Sequence, residues 1–368
     1  MAYTTIDDPT IYFDTKLYTG TGSNNITLTM DNVGWVWMKN RTNSGNHILM
    51  DIVRGGNNSN SQKPVLLSNT TGAEQGSDIT ATGGVAFGST STVIGSDNGG
   101  YNYNNSTSSN YVAWHWGTGT SFTNDASATS IGTIDSAGSS NQEAGFSIVS
   151  WTGNATADQS VAHNLGGVPE MIISKNRVNT STNYNDWTVY HHSLATANDK
   201  KLRLNTTDAV SATNEWGDTD PTSTVFSVHT GGDGATNDGS DTIIAYCFRS
   251  IKGYSKFGTY EGNGNADGTY VHLGFQPAFL IVKPIDAADN WVMFDNKRLG
   301  FNSSTSPYNF YANTNGAETT DTGQLDFVSN GFKIRNGGGT VNKTSTYIFM
   351  AFASNPFVTS TGVPATAR

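Results

Sequence analysis

The sequence predicts an all-β protein made of three tandem, related antiparallel β-sandwich repeats of jelly-roll or lectin-like type, with a pseudo-threefold arrangement expected. Two observations lead to this fold class: the composition and the return of strand-like motifs at matched spacings. Gly (41), Asn (39), Ser (37) and Thr (49) make up 166 of the 368 residues, and all four are poor helix formers. The 8 Trp, 15 Tyr and 17 Phe suit strands with a buried face and are scarce in disordered chains.

The clearest recurring motif is an apolar strand that ends in lysine. Its three copies end at Lys39, Lys175 and Lys283. A second motif follows each copy, and its asparagine stands 30 residues after the lysine every time, at Asn69, Asn205 and Asn313. A fixed spacing that occurs three times is typical of internal repeats, so we predict a triplicated unit.

The boundaries of the repeats follow from the strands that open and close each copy. They predict repeats at residues 10–116, 145–252 and 253–358. Residues 117–144 are rich in Gly, Ser and Thr and are expected to form a linker or long loop. Residues 359–368 are expected to be a frayed tail.

Each unit has a suitable size for a sandwich. Short alternating segments separated by Gly, Asn, Asp and Ser clusters are typical of antiparallel strands, and a unit of about 100 residues suits a β-sandwich. A propeller blade is the alternative, but blades are only ~40–50 residues long. The second repeat runs into the third without a linker, so a shared strand is expected near residues 250–260.

The recurring lysines and asparagines are interpreted as structural anchors of the repeat. We expect the stem of each lysine to pack over the edge of a sandwich while its ammonium group reaches solvent or a carboxylate. A charge in that position would also discourage pairing between sheet edges.

Acidic residues recur in only part of the repeats. Asp51 and Asp295 occupy the same place in the first and third copies, where the second copy has His191. Glycoside hydrolysis requires two carboxyl groups ~5–9.5 Å apart, and no acid recurs nearby in all copies. A catalytic site lost from one copy is the alternative, but we expect strand-end acids that bond turn amides. We therefore predict no catalytic residue and no enzymatic activity.

The sequence predicts no metal site and no cofactor. The only histidine cluster is His191–His192, and neighbouring side chains on a strand point to opposite faces. The loops 233–239 and 218–220 are rich in oxygen ligands, which leaves bound calcium as an unsupported alternative because neither matches the EF-hand spacing. The single cysteine, Cys247, is expected to be a packed core thiol, and it excludes intramolecular disulfides.

Aromatic residues in polar loops are the most plausible binding feature. They are Tyr101, Tyr103, Tyr308 and Tyr311. Tyrosine rings can stack on sugar faces while neighbouring asparagines bond hydroxyl groups. The equally weighted alternative is that these rings seal one repeat against the next.

Charge and hydropathy restrict the partners. The net charge of −10 makes nucleic acid an unexpected partner, since phosphate backbones attract cations. No apolar run approaches the ~20 residues needed to cross a bilayer, so no membrane span is expected. The first residues lack the basic and apolar regions of a signal peptide.

Three stretches of the chain, residues 12–22, 274–283 and 290–295, carry a resemblance to a known group of proteins. They are similar to a repeat domain of virion proteins from marine tailed phages, often labelled as concanavalin-A-like lectin, glucanase or fibre proteins. The resemblance covers about residues 10–357, and the first copy departs from it at residues 30–33, where the Gly-Phe-x-Pro turn is lost. It implies a virion component and transfers no catalytic residue.

Together these observations predict a non-enzymatic protein of the phage virion surface, made in the host cytoplasm. A fibre, tail-tip or knob type is expected, as a homo-oligomer among other virion proteins. Host attachment would use weak, multivalent contacts to a host-surface glycan. The alternatives are a capsid decoration (cement) or tail-assembly protein, and, less favoured, a glycan hydrolase.

Overall fold

The computed structural model describes most of residues 3–364. The parts of this range that it does not describe are 23–24, 55–63, 76–84, 89, 96–104, 179–184, 231–235, 299–301, 303–307 and 321–324. Tyr101, Tyr103 and residues 233–235 therefore lie outside the described residues. The protein is almost entirely β-structure, as the composition predicted, and several antiparallel sheets account for it. None of the helices in the described part of the chain has the length and apolar character that a membrane span requires.

Segment one (residues 10–116) forms a sandwich of a large and a small sheet. Its strands are β1 Phe13–Thr19, β2 Ile26–Thr29, β3 Val33–Asn40, β4 Ile48–Asp51, β5 Leu66–Leu67, β6 Val85–Phe87, β7 Ser91–Ile94 and β8 Asn110–Gly117. The large sheet has the order β1-β8-β3-β4-β5 and the small sheet the order β2-β7-β6. Apolar side chains of both sheets meet in a satellite core that includes Leu28, Val36, Met38 and Phe87.

Segment two (residues 145–252) has the same plan. Its strands are β11 Phe146–Thr152, β12 Gln159–Ala162, β13 Met171–Asn176, β14 Thr188–His191, β15 Lys200–Arg203, β16 Ser211–Ala212, β17 Val225–Val228 and β18 Thr242–Phe248. They build the run β16-β15-β14-β13-β18-β11 of an eight-stranded sheet, and β12 pairs with β17 in a small sheet.

Segment three (residues 253–358) repeats the pattern. Its strands are β19 Ser255–Glu261, β20 Tyr270–His272, β21 Phe275–Pro284, β22 Val292–Asp295, β23 Tyr308–Tyr311, β24 Thr319–Thr320, β25 Leu325–Val328, β26 Gly331–Ile334 and β27 Thr346–Pro356. The large sheet has the order β19-β27-β21-β22-β23-β24 and the small sheet the order β20-β26-β25. A second satellite core lies between them and includes Phe275, Phe327 and Phe332.

In all three large sheets the first strand of the segment pairs with its last, which then pairs with the strand carrying the lysine. The lysines lie at matching register positions, opposite Val112, Ile244 and Ile348. The triplication itself stays a prediction, and this shared order supports it. In the same register Tyr111, Ile243 and Tyr347 occupy equivalent positions on the last strands of the three segments.

Residues 117–144 are not a linker or loop. They form β9 Thr120–Asn124, the short helix α1 Ala126–Thr129 and β10 Ser136–Asn141. The two strands extend the sheet of segment two beyond β11, with β9 at its edge. The small residues that suggested a loop can form strands here because their backbone groups make hydrogen bonds with the neighbouring strands. Tertiary context thus overrides their low strand propensity. We refer to residues 117–144 as the insert.

Two further expectations about connections were wrong. No strand is shared near residues 250–260, because β18 and β19 belong to different sheets and a turn with an Ile251–Ser255 bridge separates them. The described part of the tail, residues 359–364, is not frayed, since Val358 bridges to Pro364 and the amide of Ser360 donates to Asp7 Oδ1 at 2.6 Å. These contacts hold residues 359–364 against the beginning of the chain. Residues 365–368 lie outside the described residues.

The large sheets of the three segments share one central core. Trp35 of segment one stacks on Tyr246 of segment two, with 4.4 Å between ring centroids, and Phe13 stacks on Phe352 of segment three at 5.2 Å. Trp35 is also tilted against Trp116 at 4.4 Å. Aromatic side chains bury ~150–250 Å² each, so this core joins the segments into one body.

A recurring glycine turn ends the first strand of each segment, at Gly20, Gly153 and Gly262. A methyl group on Gly153 would lie 1.9 Å from the carbonyl oxygen of Asp238, and the other two glycines have equivalent clashes. The side chain of buried Asn237 fixes this turn, because its Oδ1 accepts from the Asn154 amide at 3.0 Å. Asn105 and Asn342 make the same bond in the other segments, a role that sequence reasoning missed.

We expect Gly153→Ala to lower the free energy of unfolding by about 1–3 kcal/mol, the usual cost of inserting a methyl group where packing leaves no room. Urea denaturation followed by tryptophan fluorescence measures the change. Gly338→Ala is the matched control, since a methyl group there would meet no described atom within 4 Å. Equal stability of the two variants would show that the turn can shift at little cost.

Candidate functional site

The three recurring lysines lie on central strands and not at a sheet edge. Each is fully buried. The ammonium group donates to the carbonyl oxygen of the next residue, at 2.8 Å for Lys39, 2.7 Å for Lys175 and 2.6 Å for Lys283. The prediction of an exposed ammonium group was therefore wrong, because backbone carbonyls at the end of a buried strand can satisfy the charge.

Burial lowers the pKa of these lysines, to about 7 for Lys39 and about 8 for Lys175 and Lys283. In the unfolded chain a lysine titrates near ~10.4, so the unfolded chain binds more protons between those values. The lysines therefore contribute stability that is fully present above the unfolded pKa and is lost as the pH falls through the folded pKa.

We expect stability to rise from about pH 7 to pH 9.5, by up to ~1.4 kcal/mol per pH unit for each lysine that sheds its proton on folding. The range ends there because unfolded tyrosines ionise near ~10. Urea midpoints measured across this range check it, and Lys175→Met is expected to flatten the slope. An unchanged slope in that variant would show that Lys175 stays charged in the folded protein.

The recurring asparagines fix the strand that follows each lysine. The Oδ1 atoms of Asn69, Asn205 and Asn313 accept from the amides of His47, Trp187 and Trp291, at 3.0, 2.8 and 3.0 Å. Their Nδ2 atoms donate to the side chains of Asn46, Asp186 and Asn290. These bonds give the asparagines the geometry of structural anchors.

One backbone hydrogen bond recurs where each segment meets the next. The amide of Glu74 donates to the carbonyl oxygen of Arg177 at 2.8 Å, and the amide of Glu318 to that of Arg41 at 3.1 Å. At the third contact the amide of Val210 donates to the carbonyl oxygen of Ile285 at 2.7 Å. Segments one and two, two and three, and three and one are thus joined in the same way.

A buried ionic network surrounds the contact between segments one and two. Arg54 donates to Asp51 Oδ2 at 2.6 Å and to Glu74 Oε2 at 3.2 Å, and Arg177 donates to Glu74 at 2.8 Å. Tyr246 adds a hydroxyl bond to Asp51 at 2.7 Å. Although burial raises the pKa of Glu74, the hydrogen bonds and charges of the two arginines lower it below its ordinary value.

The contact between segments three and one has the same network. Arg298 donates to Asp295 Oδ2 at 2.6 Å and to Glu318 Oε1 at 3.1 Å, and Arg41 pairs with Glu318 at 2.9 Å. Trp114 donates its indole N–H to Asp295 at 3.0 Å. The buried arginines, Arg54 and Arg298, were missed in the sequence.

The contact between segments two and three replaces this network with apolar groups. Val210 and Ile285 pack against the central core there, and buried Leu194 follows His191 by three residues, as Arg54 follows Asp51. His191 Nε2 lies 3.4 Å from the carbonyl oxygen of Phe349. Asp51, Asp295 and His191, the positions considered for a catalytic site lost from one copy, thus lie at the contacts between segments.

The other candidate residues from the sequence have these positions. Tyr308 and Tyr311 lie on β23 and are half-buried, and Tyr311 packs against the satellite core of segment three. Cys247 is a buried free thiol, and burial raises its pKa. Among the described residues no group of three His, Cys, Asp or Glu side chains is placed to hold a metal ion.

A surface cleft of about 290 Å³ lies between the insert and segment two. It is lined by Phe122, Thr123, Asn124, Ile131, Gln142, Ala162, Asn164, Gly166, Ser223 and Thr224. None of these side chains carries a formal charge, although the chain has a net charge of −10. A second groove, of about 410 Å³ between segments one and three, differs in containing Asp14 and Lys297.

One family model matches residues 8–356, and its description is a domain of unknown function, DUF7483. The chain belongs to the DUF7483 family. Comparisons with curated proteins and with solved structures gave no match. The match to DUF7483 extends over all three segments and the insert, so the family covers both the buried networks and the cleft.

Proposed function

We propose that this DUF7483 protein is a non-enzymatic component of the phage virion surface, of fibre, tail-tip or knob type, that contributes to host attachment. The observation that carries the proposal is the common core of the three segments, reinforced by buried networks at their contacts. Such a body presents its loops from a rigid scaffold, and binding residues are disproportionately found on loops held in that way.

The environment of the acids supports the non-enzymatic part of the proposal. The side chains of Asp51 and Asp295 are fully buried, and an arginine binds each carboxylate. Each also accepts a hydrogen bond from a backbone amide of the turn that follows, at 2.8 Å from Arg54 to Asp51 and at 3.0 Å from Arg298 to Asp295. A general acid or nucleophile must reach its substrate, whereas these carboxylates stabilise a turn and an interface.

Competition with particle adsorption tests the proposal. Purified full-length protein is added to host cells before the particles that carry it, and the remaining free particles are counted. We expect the folded protein to reduce adsorption and heat-unfolded protein to have no effect. Antibody labelling of intact particles should place the protein at the surface.

Normal adsorption at saturating protein would contradict the attachment role. If particles that lack the protein adsorbed normally but had unstable heads, the capsid decoration alternative would replace the attachment role.

A further inference from the structure

We infer that the cleft between the insert and segment two binds a single neutral sugar ring. This inference rests on the proposed attachment function, and it names the ligand class and the residues that contact it. Among the described residues, the two strands of the insert have no counterpart beside the large sheets of segments one and three, so the cleft is an addition to the common scaffold.

Phe122 provides an aromatic platform at the cleft. It lies on the edge strand β9, opposite Gly138 of β10. A methyl group on Gly138 would lie 2.8 Å from the Phe122 ring, so the ring rests directly on the glycine backbone. The ring is half-buried and lines the cleft. Apolar C–H faces of a pyranose pack well on such a ring because the aromatic face carries partial negative charge.

Ile131 forms the second apolar wall, and its exposure is built into the structure. It is 39% exposed. Its carbonyl oxygen accepts from Asn124 Nδ2 at 2.8 Å, and the hydroxyl of Thr129 donates to Asn124 Oδ1 at 2.8 Å. Ser130, just before it, adopts a left-handed conformation with φ of 57°. A hydrogen-bonded turn therefore holds an apolar side chain at the mouth of the cleft.

The rim supplies uncharged donors and acceptors. Gln142 donates through Nε2 to Asn164, at 3.2 Å to Oδ1, so its own Oε1 is left to accept from a ligand hydroxyl. Thr123 and Ser223 are exposed and add hydroxyl groups that can donate and accept. The lining side chains carry no formal charge, and Arg249 beside them donates to the carbonyl oxygens of Gln142 and Leu165. The lining therefore favours a neutral ligand over a uronate, a sialate or a phosphate.

The size of the cleft restricts the ligand to one ring. Its volume of about 290 Å³ is at the lower limit of the ~300–1,000 Å³ typical of small-molecule sites. One ring on one aromatic platform gives weak binding, which agrees with attachment through many copies at once.

Saturation-transfer NMR on the full-length protein tests the site. The probes are the methyl glycosides of glucose, galactose and mannose, with N-acetylglucosamine, and glucuronate as the charged comparison. We expect saturable binding of at least one neutral probe and none of glucuronate. Phe122→Ala and Ile131→Asp should weaken it by roughly tenfold or more, while Phe122→Trp retains it. Ile131→Asp alters an exposed side chain and so tests the cleft even if Phe122→Ala fails to fold.

Tyr270→Ala is the matched control, because Tyr270 is 44% exposed and lies on the small sheet of segment three. It should bind like the parent protein. The inference is overturned if no neutral probe binds at millimolar concentration, or if binding persists in both cleft variants. If sugar binding persists in those variants and they still block adsorption, the attachment role stands and the cleft assignment is wrong. If the cleft binds a neutral probe but the protein never blocks adsorption, the cleft assignment stands alone.

Discussion

Arg54→Leu is expected to lower the free energy of unfolding by about 3–5 kcal/mol, the typical cost of removing one partner from a buried ion pair. The substitution leaves the fully buried carboxylate of Asp51 with Tyr246 as its remaining side-chain partner, and it takes one guanidinium from Glu74. Urea denaturation at neutral pH, followed by circular dichroism, measures the loss. A loss below about 1 kcal/mol would mean that water reaches the carboxylates.

The chain itself supplies the control for this experiment. At the contact between segments two and three the network is replaced by His191, Leu194, Val210 and Ile285, with Met350 level with Tyr246. The equivalent fivefold variant of the first contact combines Asp51→His, Arg54→Leu, Glu74→Val, Arg177→Ile and Tyr246→Met. We expect it to be more stable than Arg54→Leu alone, because replacing a whole buried ionic network is often neutral or stabilising. A less stable fivefold variant would show that the ionic network contributes net stability.

Trp35→Ala is expected to lower the free energy of unfolding by about 3–5 kcal/mol, the range for truncating a large buried aromatic side chain. Trp35 packs on Trp116 in its own segment and on Phe146, Tyr246 and Phe248 in segment two. The substitution should therefore destabilise both segment one and segment two. Hydrogen exchange measured by mass spectrometry should show faster exchange in β3 and in β18.

Phe327→Ala is the comparison, because Phe327 lies in the satellite core of segment three and outside the central core. Its effect on exchange should centre on the small sheet β20-β26-β25. Faster exchange confined to segment one in Trp35→Ala would show that the central core does not couple the segments.

The all-β class was predictable because it depends on composition and on short alternating segments, which can be read locally in the sequence. The lysine and asparagine spacings were visible for the same reason, but burial of the lysines was not. Nothing local distinguishes an ammonium group in solvent from one held by carbonyl oxygens at 2.6–2.8 Å. The insert was misjudged because its strands are stabilised by their neighbours in the sheet rather than by their own propensity.

The interface networks were hidden by the way the copies were compared. When the three copies are aligned, Glu74 and Glu318 occupy the position of Val210, so an acid stands there in only two of the three copies. Paired across contacts, Glu74 meets Arg177, Glu318 meets Arg41 and Val210 meets Ile285. The charge pairing is therefore visible in the sequence only when the acid of one copy is compared with the arginine of another copy. The contacts between segments show which two copies to compare.

Those three pairs also determine the direction in which the segments follow one another. In the opposite cyclic order Glu74 would face Ile285 and Arg41 would face Val210. Glu74 would then lose Arg177 and keep Arg54 of its own segment, and Arg41 would lose Glu318. Each lost ion pair would lower stability, by less than a fully buried pair would because these side chains are partly exposed. The charges of these pairs therefore favour the observed order of segments over the opposite one. Segment one alone carries both Arg41 and Glu74, and it is therefore the one segment whose copies could match each other.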